Sequence, residues 1–158
     1  MALALSIQGQ GRFDGLPARS TLLRWIKAAL ERDAELTLRF VGAAEARRLN
    51  REFRGKDYAT NVLTFDYRHA PVVSADIVLC VPVVAREARA QRKGFREHLA
   101  HLVVHGVLHA QGHDHDRAAR ARAMEAREVR ILAGLGIDDP YRAGGVAGGR
   151  AGRSAAGL

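Results

Sequence analysis

Cysteine is nearly absent: the 158 residues contain one, Cys80. No disulfide can form within the chain, and a reducing compartment is the expectation. Cys80 lies in the apolar run Asp76-Ile-Val-Leu-Cys-Val81 and reads as a small buried hydrophobe. Lysine is also scarce. Only Lys27, Lys56 and Lys93 stand among 25 basic residues, so arginine carries nearly all of the positive charge. No stretch approaches the ~20 apolar residues of a membrane span. Met1–Gly15 has no basic segment ahead of its short apolar stretch, so a signal peptide is not expected either. The reading is a cytoplasmic chain without a membrane partner.

A chain of 158 residues is long enough for one domain whose core needs neither disulfide nor metal as its main support. A metal site in it would therefore speak of function. The formal charge of +8 attracts polyanions, nucleic acid first. Abundant Ala and Gly accompany the arginines, so composition alone does not choose the ligand.

Histidine is what the sequence concentrates. Six of seven fall within residues 98–115, in a stretch that reads His105-Gly-Val-Leu-His109-Ala-Gln-Gly112-His113-Asp114-His115. His105 and His109 are four apart, so on a helix they project from one face, one turn apart, as when two histidines bind one zinc. His101 is eight residues before His109, about 12 Å along the axis, too far to join His109 on an ion with bonds of about 2 Å. The third ligand must come from chain that folds back. Gly112 permits the turn and His115 follows it. Three neutral imidazoles leave one position of a tetrahedral ion open, the catalytic rather than the closed structural arrangement, which implies hydrolysis. The zinc peptidase pattern H-E-x-x-H is not met, because Gly106 stands where its glutamate base would be. Asp114 or His113 can take part in proton transfer, and Asp114 is read preferentially as orienting a ligand. His98 and His101 read as satisfied helix residues.

Periodicity places the rest. Leu3, Leu5 and Ile7 alternate as a first strand, and residues 17–32 form an amphipathic helix with Leu22, Ile26 and Leu30 inward and Trp25 in the core. Glu35 to Val41 alternates as a second strand. A short polar helix over residues 44–53 carries Arg47, Arg48 and Arg51. The turn-rich link Arg54-Gly-Lys-Asp-Tyr-Ala-Thr-Asn61 then enters a third strand, Val62 to Tyr67. Read alone, that link is an exposed loop or a place where Arg54 and Lys56 hold an anionic substrate. Phe53 and Tyr58 beside it read as packing residues, with stacking on unpaired bases as the alternative. His69 reads as a surface residue. Ser74 to Val81 is a buried fourth strand, Pro82 opens a helix, and residues 95–110 form the metal helix, buried with its histidines facing a cleft. A last helix from Asp116 turns Met124, Ile131 and Leu135 inward and ends at Gly134 and Gly136. The main domain spans residues 1–142. Residues 143–158, rich in Gly and Ala, are expected to be a flexible tail.

The two motifs together, His105-Gly-x-Leu-His109-x-x-Gly112-x-Asp114-His115 and Arg54-Gly-Lys-Asp-x-x-Thr-Asn-Val-Leu-Thr-Phe65, with Asp76-Ile-Val and the Asp-Asp-Pro-Tyr141 end, resemble the bacterial endoribonuclease YbeY family over roughly residues 34–141. The resemblance implies an α+β fold, a small four-stranded mixed sheet packed with about five helices. It implies a single-strand-specific, metal-dependent endoribonuclease that matures ribosomal RNA, notably the 3′ end of the small-subunit RNA, and serves ribosome quality control. One zinc ion would fall on His105, His109 and His115, and the family's functional arginine on Arg54. The implied partners are single-stranded RNA, ribosomal RNA and the small ribosomal subunit. His113, Ala59 and Ala75 depart from the commoner pattern, where Tyr, Pro and Gly are frequent. The readings that compete are a non-catalytic zinc-containing ribosome-assembly factor and a zinc peptidase with a displaced base.

Overall fold

A computed structural model describes residues 1–113 and 117–142. Among them are five α-helices and four strands in the order β1 (Leu3–Gln8), α1 (Arg19–Ala29), β2 (Ala34–Val41), α2 (Ala43–Arg54), β3 (Val62–Arg68), β4 (Val73–Cys80), α3 (Val81–Ala90), α4 (Phe95–Ala110) and α5 (Ala118–Gly134). The strands form one mixed sheet in the order β1-β2-β4-β3. β1, β2 and β4 run parallel. β3 returns antiparallel along β4, with Val62 opposite Leu79 and Phe65 opposite Asp76. The fold is α+β, as expected. Element boundaries lie within about two residues of their expected positions, the ordinary uncertainty of helix ends, except that α1 stops at Ala29 where its end was expected at residue 32.

Alternation on the strands builds two unequal layers. Leu36, Leu38 and Phe40 of β2 join Ile77 and Leu79 of β4 on one side, where they meet Leu22, Trp25, Ile26 and Ala29 of α1 and most of α4. Each such side chain stabilises the fold by roughly 1.5–3 kcal/mol when fully removed from water. On the other side a smaller group, Val41, Ala46, Leu63, Val78, Cys80 and Val83, lies beneath α2 and α3. Cys80 is buried there, as its apolar run implies, and burial pushes its thiol up. The rest of that sheet face is open: Ser6, Glu35 and Tyr67 are exposed, and Thr37, Ser74 and Asp76 are half-buried.

α4 is the central helix. It packs against α1, α3, α5, β3 and β4, and its residues from His98 through Leu108 are all buried. The sequence suggested one apolar side and one histidine side turned to a cleft. The helix is buried, and its histidine side receives one carboxylate from each neighbour, Glu87 from α3 and Glu128 from α5, with His101 on the wall of a cavity. Glu97 in its first turn accepts from the Gly94 backbone N–H at 3.3 Å and adds negative charge where the helix dipole favours it. Against the sheet the approach is tight. A Cβ on Gly106 would stand 2.8 Å from Ile77 Cγ2 and 3.5 Å from Thr64 Oγ1, so glycine at this position sets the distance between helix and sheet.

Gly106→Ala is therefore expected to destabilise the fold by about 1 kcal/mol, overpacking against Ile77 outweighing the better helix propensity of alanine. A thermal melt should show a fall of roughly 2–4 °C; an unchanged or raised midpoint would mean that helix and sheet have slack at this contact.

Candidate metal centre

His105 sits in the middle of α4, and its Nδ1 donates to Glu128 Oε2 of α5 at 2.5 Å. The other Glu128 oxygen, Oε1, accepts from His101 Nε2 at 2.8 Å and from the Tyr141 hydroxyl in a short hydrogen bond. Glu128 has no exposed surface. Burial by itself would raise its carboxyl, but the charge and hydrogen bonds of His105 and His101 together hold it well below the ordinary glutamate range. It is thus a carboxylate at neutral pH. Burial pushes His101 below its ordinary value, more than its bond to Glu128 raises it. Its Nδ1 is buried without a hydrogen-bond partner among the described residues, a place where a second N–H of the cation would be unsatisfied. His101 is accordingly neutral.

This arrangement suits a metal in chemical terms. A carboxylate that accepts a hydrogen bond from His105 Nδ1–H fixes the tautomer with Nε2 as the acceptor nitrogen, the usual bracing of a metal-binding histidine. His109 follows one turn later on α4, half-buried. His115 and Asp114 lie outside the described residues, as does the tail from residue 143. His101, His105 and Glu128 also offer ligand atoms that lie within 4.8 Å of one another, so these three buried residues can hold a metal ion. An ion seated there would have to displace the protons that now join the three groups.

The turn after α4 is held from two sides. Gln111, buried, donates to the Ala29 and Val107 carbonyls at 2.9 and 3.1 Å and accepts from the Glu31 backbone N–H at 2.6 Å. Gly112 has φ 101°, which a side chain would resist, and so reverses the chain as its place in the motif suggested. Beyond it His113 Nε2 meets Glu31 Oε2 at 2.9 Å, the same oxygen that accepts from Arg127 of α5 at 2.9 Å. His113 is therefore engaged with Glu31, just beyond the end of α1. His69, exposed, pairs with Asp66 at 2.6 Å and lies against Gly112.

Arg54 is the last residue of α2, and Lys56 follows Gly55 into the loop; both are exposed. The loop is braced rather than loose. Arg47 bonds both oxygens of Asp57 at 2.8 and 3.0 Å, and buried Asn50 donates to the Tyr58 carbonyl at 2.9 Å. At its far end Asn61 Nδ2 donates to Glu87 Oε1 at 3.0 Å, and the same oxygen accepts from His98 Nε2 at 2.9 Å. The loop thus joins α4 through Glu87 and His98, seven residues before His105. His98 and His101 each bond a carboxylate through Nε2, while the Nδ1 atom of each is buried without a hydrogen-bond partner among the described residues. Glu128 and Glu87 were missed. Glu128 had a sequence signal, since it stands four residues after Met124 and four before Leu132, and those three are the buried residues of α5.

Gly106 faces Ile77 and Thr64 of the sheet. A glutamate there would enter the sheet, not the histidine side, so the geometry of the H-E-x-x-H peptidases is closed to this helix. Two cavities flank α4. One of about 270 Å³ has His101 on its wall with Arg92, Lys93 and Asp138, and one of about 250 Å³ lies between Gly112, His113 and Arg127.

Fold and site define an α+β protein with a buried, carboxylate-braced histidine centre able to hold one metal ion, beside a basic loop. The chain belongs to the endoribonuclease YbeY family, whose model matches residues 17–136. It is 61% identical over 123 residues to the endoribonuclease YbeY of Methylibium petroleiphilum, covering 78% of this chain and 83% of that one. It is 57% identical over 147 residues to that of Acidovorax sp. strain JS42, covering 89% and 97%. The solution structure of a Thermotoga maritima protein is similar with a TM-score of 0.52 and 25% identity, covering 83% of this chain and 91% of that one.

The buried acid–base cluster gives stability a pH dependence. Folded His101 resists protonation, so below its ordinary value near 6.5 the unfolded chain takes up a proton that the folded chain does not, and stability is lost as pH falls. Glu128 acts lower: its contribution is complete above its ordinary value near 4.5 and is lost as pH falls toward its depressed folded value. Urea midpoints measured with chelator should fall between about pH 7 and pH 5, and His101→Gln should flatten that stage. A flat wild-type profile would mean that His101 is protonated in the fold.

Proposed function

We propose that this protein is a single-strand-specific, zinc-dependent endoribonuclease of the cytoplasm that acts in ribosomal RNA maturation, at the 3′ end of the small-subunit RNA, and in ribosome quality control. The observation that carries the metal part is the 2.5 Å bond from His105 Nδ1 to buried Glu128, which presents Nε2 as a ligand. His105, His109 and His115 would hold one zinc ion. Zinc bound there supplies Lewis acidity near neutral pH. The names of the relatives supply the reaction class, and the charge of +8 and the basic loop agree with an anionic polymer as substrate.

The chain's own groups then have distinct tasks. Arg54 offers a fork of N–H donors to the scissile phosphate and neutralises charge that grows on its oxygens. Lys56 takes a neighbouring phosphate and positions the strand. Glu128 keeps the His105 ring in one tautomer and one orientation, and Asp114 is assigned the same kind of task on a ligand. The braced loop and the braced helix turn keep these groups from reorganising when substrate arrives.

The decisive experiment compares cleavage of an end-labelled single-stranded RNA by wild type and His109→Ala prepared identically, with chelator and zinc add-back. Wild type should cut, chelator should abolish cutting and zinc restore it, and the variant should lose at least a hundredfold. Equal cutting by both would assign the nuclease to a contaminant or the site to other residues. If neither cuts while RNA still binds, the non-catalytic assembly-factor reading takes its place.

Zinc competition against a fluorescent chelator discriminates the two metal seats. His109→Ala should weaken zinc by more than a hundredfold and His101→Ala by less than tenfold, with Glu128→Gln between them at roughly 10–100-fold. The reverse order for the two histidines would move the ion onto His101, His105 and Glu128.

A further inference from the structure

The exposed large apolar side chains among the described residues are Met1, Phe53, Tyr58 and Tyr67. All three rings lie between residues 53 and 67, around the arginine loop. Phe53 was expected to pack, yet it is 65% exposed, and Tyr58 is 48% exposed. Phe53 meets Phe65 of β3 edge-on, with centroids 5.3 Å apart and planes at 76°. Phe65 is paired with Asp76, and the Tyr67 hydroxyl donates to Asp76 Oδ2 at 2.8 Å. Phe65 and Tyr67 therefore share one face of the edge strand, and Tyr67 is 65% exposed. The three rings follow one another from the end of α2 along β3, on the sheet face that α2 and α3 leave partly open.

These rings are held. Phe53 rests against Phe65, which packs partly buried on the smaller core group, and Tyr67 is tied by its hydroxyl, so a ligand that stacked on them would meet rings already in place. No exposed leucine, isoleucine or valine joins them, unlike the mixed aliphatic and aromatic cores of protein interfaces. Arg54 and Lys56 stand next to Phe53 in the chain. Flat aromatic faces bordered by cations match the chemistry of unpaired bases on a phosphate backbone.

We infer that Phe53, Phe65 and Tyr67 form a base-stacking platform that receives the single strand on the sheet face opposite α4, with Arg54 and Lys56 taking phosphates at its end. The inference rests on the ribonuclease reading above. Because a duplex hides its base faces, the platform is a source of preference for single strands, and because every base has such a face it is tolerant of sequence.

The test is fluorescence anisotropy with a labelled, cleavage-resistant 2′-O-methyl oligoadenylate of about 12 nucleotides and an abasic strand of equal length, across a salt series. Phe53→Ala and Tyr67→Ala should each weaken the oligoadenylate by about 5–50-fold. Neither should change the abasic strand or the slope of log affinity against log salt, because no phosphate contact is lost. Phe53→Trp and Tyr67→Trp, which keep a ring, should bind as wild type or tighter. Unchanged oligoadenylate binding by the alanine variants overturns the platform and leaves the rings to a protein partner, and equal weakening of both strands overturns stacking as the cause. If wild type binds neither strand and cuts no RNA, the ribonuclease reading falls and the platform with it.

Discussion

The carboxylate of Glu128, removed entirely from water, lies between two imidazoles of one helix and a phenol from the end of the domain. Desolvating such a charge costs several kcal/mol unless its lone pairs are filled, and here three N–H and O–H donors fill them. That requirement orients much of the molecule. It brings α5 onto α4 at Glu128, draws Tyr141 against the same oxygen, keeps His101 neutral and leaves His105 in the tautomer that a metal needs. A buried ion pair is weak support for stability in general. In this fold its consequence is geometric, because the same hydrogen bonds that satisfy the carboxylate aim the histidine.

A second constraint acts from the opposite side of α4. Gly106 lets the helix settle onto Ile77 and Thr64, and so the sheet occupies the direction from which a peptidase glutamate would act. One helix face is given to packing and the other to chemistry, with no room to exchange them. The two ends are pinned separately, by Glu87 and Asn61 near His98 and by Gln111 beside Gly112. The centre is thus held from both sides and both ends, the rigidity that preorganised sites rely on.

The basic loop obeys the same logic at lower cost. Arg47 and Arg51 spend charge on Asp57, and Asn50 spends its amide on the loop backbone. Arg54 and Lys56, both exposed, flank a backbone braced in this way. The proposed role would divide accordingly, the net charge attracting a polyanion from a distance and these local groups choosing which part of it is held.

Element type and order were legible in the sequence because they rest on local pattern. Leu36, Leu38 and Phe40 alternate at the period of a strand, Leu22, Ile26 and Ala29 recur at that of a helix, and Gly112 marks a turn whatever surrounds it. The expectation that His105 and His109 act as a pair rested on the same kind of pattern, since a spacing of four on a helix is itself a geometry; the three residues that the structure brings together are His101, His105 and Glu128. What lay beyond local pattern was decided only by the tertiary structure. Glu128 resembles a solvent-facing residue of a charged helix until α5 is laid on α4, and the bracing of His101 and His105 follows from that docking. Phe53 resembles a core residue until the sheet is seen to end at β3, with no further layer to cover it. Helical and strand periodicity is written between neighbours in the chain, whereas the burial of a charge or the exposure of a ring depends on which distant element arrives, and that is settled by the shared core rather than by any one segment.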